Sequence, residues 1–430
     1  MGKKTITGTK NVYELAQERL KVIFNEFDNI YVSFSGGKDS GVLLNMCIDY
    51  IRRNNLKIRL GVFHMDYEIQ YKMTIDYVDR ILEANKDILD VYRVCVPFRV
   101  STCTSMYQSF WRPWEDNKKD IWVRSMPKKA MKKEDFPFYN TTMWDYEFQM
   151  RFAQWIHQKK DAVRTCCLIG IRTQESFNRW RCIYMSRKFQ MYHKYKVGND
   201  IYNAYPIFDW KTTDVWTANG KFQWDYNILY DLYYRAGVNL ERQRVASPFI
   251  NEAQESLALY RVLDPNTWGK MIGRVNGVNF TGMYGGTHAM GWQSVKLPEG
   301  YTWREFMYFL LSTLPERARK NYLRKLSVSV HFWRTKGGCL SDATIQKLID
   351  AKVPIIVMDN SNYKTYKKPV RMEYQDDIDI PEFREIPTYK RMCVCILKND
   401  HACKYMGFSP TKEEMSKRSQ VMEQYRIIVS

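Results

Sequence analysis

The chain has 430 residues, 45% of them hydrophobic and 15% aromatic, a composition that excludes a largely disordered protein because it supplies ample apolar surface for a core. The length exceeds one ordinary core and predicts two domains or one enlarged α/β domain. Its 66 Lys and Arg residues against 47 Asp and Glu give a formal charge of +19, which favours a nucleotide substrate, a polyanionic partner such as nucleic acid, or a generally basic surface over an acidic surface.

Short β-rich runs alternate with helical patterns over roughly the first 215 residues, which is typical of a parallel sheet covered by helices. The sequence predicts strands at residues 30–34, 58–64, 91–96, 165–171 and 204–208. Apolar residues on one helical face predict a first helix at 40–53 and a second at 72–85. We therefore expect an α/β domain over residues 1–240.

The pattern breaks between about residues 110 and 140, where prolines, charges and tryptophans predict an insertion over the edge of the sheet. Trp111, Trp114 and Trp122 fit a core or a domain seam, and they also fit stacking on a nucleic-acid base. Beyond residue 240 the alternation ends, and residues 301–326 read as a helix broken near Pro315. We expect a separate, mainly helical region over residues 241–430.

One loop carries the strongest chemical signal, and its sequence is Ser35-Gly36-Gly37-Lys38-Asp39-Ser40. It follows a predicted strand and precedes an amphipathic helix, so it lies at the carboxyl edge of a parallel sheet, where ligands bind. The paired glycines permit a sharp turn, and the free N–H groups of the helix start favour a phosphate. Lys38 adds a full positive charge, the serines add hydroxyl donors, and Asp39 is a candidate Mg²⁺ ligand.

Two further motifs join this loop in a family resemblance. The segment Gly170-Ile171-Arg172-Thr173-Gln174-Glu175-Ser176 is followed by Arg179, and Tyr205-Pro206-Ile207-Phe208-Asp209-Trp210 is followed by Asp214-Val215-Trp216. The three motifs, in this order, resemble the PP-loop (N-type) ATP pyrophosphatase and phosphoadenosine phosphosulfate (PAPS) reductase superfamily. The resemblance implies a Rossmann-like fold of the adenine-nucleotide alpha-hydrolase (HUP) class.

The resemblance also implies roles for individual residues. Nucleotide binding falls to Ser35, Gly36, Gly37, Lys38, Asp39, Ser40, Asp66, Gly170 and Arg172, and catalysis to Lys38, Asp39, Arg172 and Arg179. The arginines could clamp phosphate or sulfate oxygens, or they could be surface ion-pair partners. Asp66 stands where relatives have an Asp-Thr-Gly turn, but this chain reads Asp66-Tyr67-Glu68. The implied ligand is ATP or a related adenine nucleotide with Mg²⁺.

A closer resemblance spans nearly the whole chain and includes Trp122-Val123-Arg124-Ser125-Met126-Pro127, Leu259-Tyr260-Arg261-Val262-Leu263-Asp264-Pro265, Gly285-Gly286-Thr287 and Cys395-Ile396-Leu397-Lys398-Asn399-Asp400. These segments are similar to the immunoglobulin-binding regulator A (IbrA) branch, found in bacteria, phages and prophages. The resemblance implies a ParB/sulfiredoxin-like partner protein. Three functions stay open: an adenylating ATP pyrophosphatase, a sulfonucleotide (PAPS or adenylyl sulfate) reductase or sulfurtransferase, and a nucleotide-sensing regulator.

The cysteines bear on the choice among these functions. PAPS reductases carry their nucleophile in a Glu-Cys-Gly-Leu/Ile-His motif that this chain lacks, and Cys339 in Lys336-Gly337-Gly338-Cys339 is the nearest substitute. The pair Cys166-Cys167 resembles one half of an iron–sulfur motif, but it lies in a predicted strand and lacks a second Cys-x-x-Cys, so core packing is favoured. We expect no iron–sulfur cluster.

A second cysteine group, Cys393, Cys395, His401 and Cys403, offers four potential ligands for tetrahedral zinc. The alternation Cys393-Val394-Cys395-Ile396 equally suits a strand with buried thiols, and this alternative is favoured. The first residues lack the apolar stretch of a secretory signal, and nowhere do about 18 apolar residues run unbroken. The sequence therefore predicts a cytoplasmic protein, no membrane segment, and reduced thiols.

Overall fold

The structure, a computed structural model, describes residues 10–175, 179–180, 183, 192–194, 200–241, 243–250, 253, 257–284, 297–358, 367–380 and 385–408. Ser176 and the Gly285-Gly286-Thr287 segment lie outside these residues. The chain divides into two compact units. Unit 1 comprises Met1–Val100, Trp111–Pro248 and Leu259–Val275, and unit 2 comprises Ser101–Phe110, Phe249–Ala258 and Asn276–Ser430.

Helices and strands alternate along unit 1. In chain order they are α1 (Val12–Glu26), β1 (Asn29–Ser33), α2 (Lys38–Arg53), β2 (Leu60–Met65), α3 (Lys72–Ala84), β3 (Leu89–Val94), α4 (Asp145–Lys159), β6 (Thr165–Ile169), β7 (Tyr192–Lys194), β8 (Ile201–Ala204), α5 (Thr212–Phe222), α6 (Leu229–Arg235), α7 (Tyr260–Leu263) and α8 (Pro265–Arg274). Between β3 and α4, the two-residue strands β4 (Val100–Ser101) and β5 (Phe110–Trp111) each have one residue in unit 1 and one in unit 2. The main sheet has the order β3-β2-β1-β6-β8-β7. Its first five strands are parallel, and β7 runs antiparallel to β8.

Both faces of the sheet are buried, as a parallel sheet between helices requires. On one face Val32 pairs in register with Val62 and Leu168, and all three belong to a core cluster with α1, α2 and α3. On the other face the rings of Tyr31 and Phe63 pack against Phe152 of α4. This arrangement confirms the predicted parallel α/β fold.

The last predicted parallel strand was placed too late. Residues 204–208 were expected to be extended, but β8 ends at Ala204 and a turn follows, in which the Phe208 N–H donates to the Tyr205 carbonyl over 3.2 Å. Pro206 lacks an N–H and cannot donate to a sheet, so the apolar run after it does not continue the strand.

The predicted insertion contains short turns and the end of β5. Trp111 and Trp114 are 2% and 1% exposed, so neither is available to stack on a base. The Trp114 indole N–H donates to the Asp66 carbonyl over 2.6 Å, and the Trp122 ring packs edge-on against Trp114. In unit 1, these tryptophans hold the insertion onto the loop that follows β2.

Unit 2 contains the predicted helical region and also a small sheet. Its helices are α9 (Val278–Tyr284), α10 (Trp303–Ser312), α11 (Glu316–Thr335), α12 (Asp342–Asp350) and α13 (Tyr389–Leu397), and its strands are β9 (Gly338–Leu340), β10 (Ile355–Val357) and β11 (Lys368–Met372). The three strands form an antiparallel sheet in the order β10-β11-β9, which the sequence did not predict. The break near Pro315 is present, because Pro315 is the N-cap of α11.

Helix α13 corrects the favoured interpretation of the last cysteine group. Cys393 and Cys395 were expected in a strand, but both lie in this helix, which begins after Thr388, whose hydroxyl accepts from the Arg391 N–H. Apolar residues fill Met392 through Ile396 without interruption, so their alternation with cysteine does not reflect a two-residue period.

Candidate functional site

The loop between β1 and α2 forms the tight turn that its glycines predict. Gly36 has φ of +77°, a left-handed conformation that favours glycine, and Gly37 is the N-cap of α2 without a side-chain cap. The Ser35 and Ser40 hydroxyls lie 3.0 Å apart, and the Ser40 hydroxyl also donates to the Gly37 carbonyl over 3.2 Å. The serines thus brace the loop while the first turn of α2 points its N–H groups out of the helix end.

Gly170 stands against this same turn. A Cβ at Gly170 would lie 2.9 Å from the carbonyl carbon of Asp39 and 3.0 Å from the nitrogen of Ser40. The residue that follows β6 must therefore be glycine for the two loops to approach this closely. The predicted members Gly170 and Asp39 are brought together by this packing.

Lys38 is buried at the start of α2 and contacts a distant part of unit 1. Its backbone N–H donates to the Tyr230 hydroxyl over 2.9 Å, and its ammonium donates to the Gln243 carbonyl over 3.1 Å. The ammonium also lies 3.2 Å from an Asp39 carboxylate oxygen. Burial lowers the pKa of Lys38, Asp39 opposes that shift, and the positive charges of Arg172 and Arg244 add to it.

Arg172 is buried beside the loop, with only 2% of its surface exposed. Its Nε donates to the other Asp39 carboxylate oxygen over 2.6 Å. One terminal nitrogen donates to the Gln174 side chain over 3.2 Å and to the Trp210 carbonyl over 3.4 Å. Arg172 of the second motif therefore contacts Asp39 of the first motif and Trp210 of the third, so the three motifs meet at one place.

Glu175 joins three arginines at the outer side of this group. It lies 3.6 Å from Arg172, forms an ion pair with Arg179, and its carbonyl accepts from Arg244 over 3.3 Å. Burial lowers the pKa of Arg179, and the charges of Arg244 and Arg172 lower it too. Three cations, Lys38, Arg172 and Arg179, thus share two carboxylates, and Arg244 adds a fourth positive charge beside them, which leaves the group with net positive charge.

Asp66 does not join this group. It is fully buried, its carboxylate accepts from Arg93 over 3.1 Å, and it forms an ion pair with Arg124. Burial alone would raise the pKa of Asp66, but the two guanidiniums outweigh it and hold this pKa well below its usual range. Glu68 beside it accepts twice from Arg274, each time over 2.9 Å. In this chain the turn after β2 is a buried ion-pair cluster.

The structure brings together only two of the four candidate zinc ligands, because the Cys395 and Cys403 thiols lie within hydrogen-bond distance of each other while Cys393 and His401 face other partners. Cys393 and Cys395 are two residues apart on α13, so their side chains leave the helix about 200° apart. The Cys393 thiol faces the Trp303 carbonyl at 3.5 Å, whereas the Cys395 thiol faces Asp400 at 3.8 Å, and the His401 ring faces the Ser105 carbonyl at 3.1 Å. Among the residues the structure describes, no three His, Cys, Asp or Glu side chains are grouped to hold a metal ion.

Cys166 and Cys167 lie inside β6, where successive side chains face opposite sides of the sheet. Both are buried, and burial raises the pKa of Cys167 to about 12. Cys339 lies in β9 and is partly exposed. Among the described helices, none combines the length and apolar composition needed to cross a bilayer.

Sequence reasoning missed the residues that close over the loop. Tyr230 and Gln243 contact Lys38 from 192 and 205 residues away, and Asn227 donates to the Gly36 carbonyl over 3.0 Å. None of them belongs to a recognised motif. The charged residues around Arg244 were the one available signal, but charge alone does not show that this segment packs against the loop after β1.

Comparisons with known proteins agree with this architecture. Residues 29–237 match the family model described as the phosphoadenosine phosphosulfate reductase domain, and residues 237–417 match a domain of unknown function (DUF3440). The uncharacterized protein YbdN of Escherichia coli (strain K12) is 33% identical over 95% of this chain and 93% of its own length. The uncharacterized protein MJ0973 of Methanocaldococcus jannaschii is 26% identical over 53% of this chain and 43% of its own length.

Solved structures with low overall similarity include PAPS reductase from Candida auris, at 16% identity over 53% of this chain and 93% of that chain, with a TM-score of 0.29. The U34-tRNA thiolase NcsA from Methanococcus maripaludis has 11% identity over 62% of this chain and 79% of that one, with a TM-score of 0.28. Because the identity to YbdN extends over nearly all of both chains, the chain belongs to the YbdN family and carries a PAPS reductase domain in its N-terminal half.

Proposed function

We propose that unit 1 is a PP-loop enzyme that binds ATP, cleaves it at the α-phosphate, adenylates an acceptor and releases pyrophosphate. The observation that carries this proposal is the net positive group at the carboxyl edge of the sheet, where Lys38, Arg172 and Arg179 share the carboxylates of Asp39 and Glu175 and Arg244 contacts the Glu175 backbone carbonyl. Cations that lower one another's pKa favour an anionic ligand among them. A polyphosphate at a helix start satisfies that preference.

The roles of the residues follow from their positions. An acceptor oxygen attacks the α-phosphorus, the bond to the bridging oxygen breaks, and its electron pair leaves with pyrophosphate. Lys38 and the N–H groups of the loop stabilise the charge that develops on this leaving group. Arg172 and Arg179 hold the other anionic groups of the nucleotide, and Gly170 allows Arg172 to reach them.

Asp39 does not fit a bound Mg²⁺ in this arrangement. A carboxylate is a suitable Mg²⁺ ligand, but one oxygen of Asp39 faces Lys38 and the other faces Arg172. Mg²⁺ therefore enters the proposal only as the counterion of the ATP substrate. Asp39 acts as the residue that positions the two cations.

The test uses ATP labelled at the α-phosphate and follows AMP and adenylated product by chromatography, with candidate acceptors and partner proteins added. Lys38→Ala and Arg172→Ala should each lower turnover at least about 100-fold, as expected for the loss of a transition-state contact of about 2.7 kcal/mol. Lys57→Ala and Arg235→Ala, at exposed cations, are the matched controls. If neither AMP nor an adenylated product formed in any mixture, the adenylating function would be excluded.

A second candidate is a sulfonucleotide reductase or sulfurtransferase, which the match of residues 29–237 to the PAPS reductase domain favours. A cysteine thiolate would attack the sulfur, and the nucleotide would leave with the electron pair of the broken S–O bond. A thiol added as reductant would then attack the cysteine sulfur and release sulfite as a disulfide forms. Cys339 suits this role because it is partly exposed, whereas Cys393, Cys395 and Cys403 are buried. Sulfite release that persists after all four are replaced by Ser would rule out a role for them.

A third candidate is a nucleotide-sensing regulator that acts with a ParB-like partner, as the resemblance to the IbrA branch suggests. Under this proposal unit 1 binds the nucleotide and unit 2 binds the partner. Co-purification with the product of the neighbouring gene, in the presence and absence of ATP, tests it. Complex formation that does not respond to ATP would argue for a scaffold.

A further inference from the structure

The longest described helix of unit 2, α11, carries a cationic face. It spans 20 residues and is therefore about 30 Å long. Its exposed positions include a continuous stripe with alternating spacings of three and four residues, formed by Arg317, Lys320, Arg324, Ser327, His331 and Arg334. That spacing places all six side chains along one side of the helix. We call this set the α11 stripe.

The opposite side of α11 is fixed in the core of unit 2. Ala318, Tyr322 and Leu326 are buried there with residues of α10 and α13. Because these positions hold the helix against the core, the stripe is presented to solvent in one orientation. The positions of its charges are therefore set before any partner binds.

Carboxylates do not balance the α11 stripe. Residues 301–336 contain eight Lys and Arg residues and two Glu residues. Lys320 pairs with Glu316 and Arg334 with Glu373, each over 2.5 Å. Arg317 and Arg324 have no carboxylate within ion-pair distance among the described residues.

The arrangement differs from that of an ordinary solvated helix. Charged helix faces are usually stabilised by pairs of opposite sign three or four residues apart, and like charges at that spacing are destabilising. Arg317, Lys320 and Arg324 repeat the same sign at spacings of three and four. An anionic partner would remove this repulsion.

We propose that the α11 stripe binds the paired phosphate backbones of a double-stranded nucleic acid. Arginine, which supplies three of the six positions, can contact phosphate oxygens with two N–H groups at once. A straight array about 26 Å long, from Arg317 to Arg334, matches a rigid duplex that carries one charge per about 1.7 Å. None of the six is Phe, Tyr or Trp, whereas surfaces for single strands stack bases mainly on those rings. The proposal stands apart from the nucleotide site in unit 1.

The test measures binding of the full-length protein to a fluorescein-labelled DNA duplex of about three helical turns, by anisotropy, at several NaCl concentrations. The variant Arg317→Gln/Lys320→Gln/Arg324→Gln removes three charges and retains helix propensity. Its affinity should fall at least about tenfold at low salt, and the slope of log affinity against log salt should fall by about three.

The matched control Arg235→Gln/Arg261→Gln/Lys270→Gln removes the same charges from exposed positions of unit 1 and should change affinity less than about twofold. Equal losses in both variants, or no duplex binding by the unaltered protein at low salt, would overturn the proposal. Duplex RNA of the same sequence distinguishes the two kinds of backbone. Stripe-dependent binding to phosphatidylserine vesicles or to single strands, without duplex binding, would also refute it.

Discussion

Replacing Gly170 by Ala tests the packing that brings the second sequence motif to the loop. An added Cβ would lie 2.9 Å from the Asp39 carbonyl carbon and 3.0 Å from both the Asp39 oxygen and the Ser40 nitrogen. All three are backbone atoms of the first turn of α2, so no side chain can rotate away to make room. The strand exit must shift, and Arg172, two residues later, shifts with it.

The cost follows from the size of the overlap. Adding one carbon to a well-packed interior costs about 1–3 kcal/mol when the backbone must move. For a unit of roughly 250 residues, each kcal/mol lowers Tm by about 2–4 °C, so we expect a fall of about 2–12 °C. ATP affinity should fall as well, because the Arg172 guanidinium no longer lies beside Asp39.

Differential scanning calorimetry of purified Gly170→Ala measures the first effect, and isothermal titration with ATP measures the second. Gly220→Ala is the matched control, since a Cβ at Gly220 in α5 meets no atom within 4 Å. The control should be stabilised by about 0.4–1 kcal/mol, because alanine restricts the unfolded chain more than glycine does. A Gly170→Ala protein as stable as the unaltered one would refute the close approach of the two loops.

Three further predictions address the loop and the interior. Tyr230→Phe frees the Lys38 N–H for a phosphate and should tighten ATP binding about 2–10-fold in isothermal titration; weaker binding would mean that the hydroxyl itself holds the nucleotide. Arg274→Met leaves the Glu68 carboxylate buried without its partner and should lower the free energy of unfolding in urea by about 3–5 kcal/mol, whereas the double variant Glu68→Leu/Arg274→Met should lose less. Burial lowers the pKa of His64 to about 4, so as pH falls from about 6.5 towards 4 the unfolded chain takes up a proton that the folded chain does not. Urea unfolding should show about 2–3 kcal/mol lost between pH 7 and 4.5, and a His64→Gln protein with the same loss would contradict this assignment.

The sequence was most informative where local patterns decide the structure. The apolar runs that predict β1, β2 and β6 are buried on both faces, and that of the edge strand β3 is buried except near Val91, so hydrophobicity alone marks these strands to within about two residues. The role of the loop glycines could also be predicted from the sequence, because the tight turn itself requires the left-handed φ of Gly36. The three-residue strands β9 and β10 carry no such signal, since they are too short to show a period.

The parts that could not be predicted depend on contacts between distant segments. Tyr230, Gln243 and Arg244 reach the loop because the chain after α5 returns over the carboxyl edge of the sheet. No pattern within residues 227–244 encodes that path. The motif residues Arg172 and Asp39 could be assigned to one site, but their direct ion pair, which occupies one oxygen of the proposed Mg²⁺ ligand, appears only in three dimensions.

In the turn after β2, where this chain departs from the Asp-Thr-Gly pattern of the resemblance, Asp66 and Glu68 place two buried carboxylates side by side. Both carboxylates there are saturated: Asp66 is held by Arg93 and Arg124, and Glu68 accepts from Arg274 and from two backbone N–H groups of the insertion. No carboxylate oxygen remains for a ribose hydroxyl, and breaking either pair would leave a buried charge at a cost of about 3–5 kcal/mol. The loop after β1 has the opposite balance, with more cations than carboxylates. Under the proposed function, the anionic part of the nucleotide therefore binds at the first loop while the second loop anchors the insertion, and other groups must recognise the adenosine end.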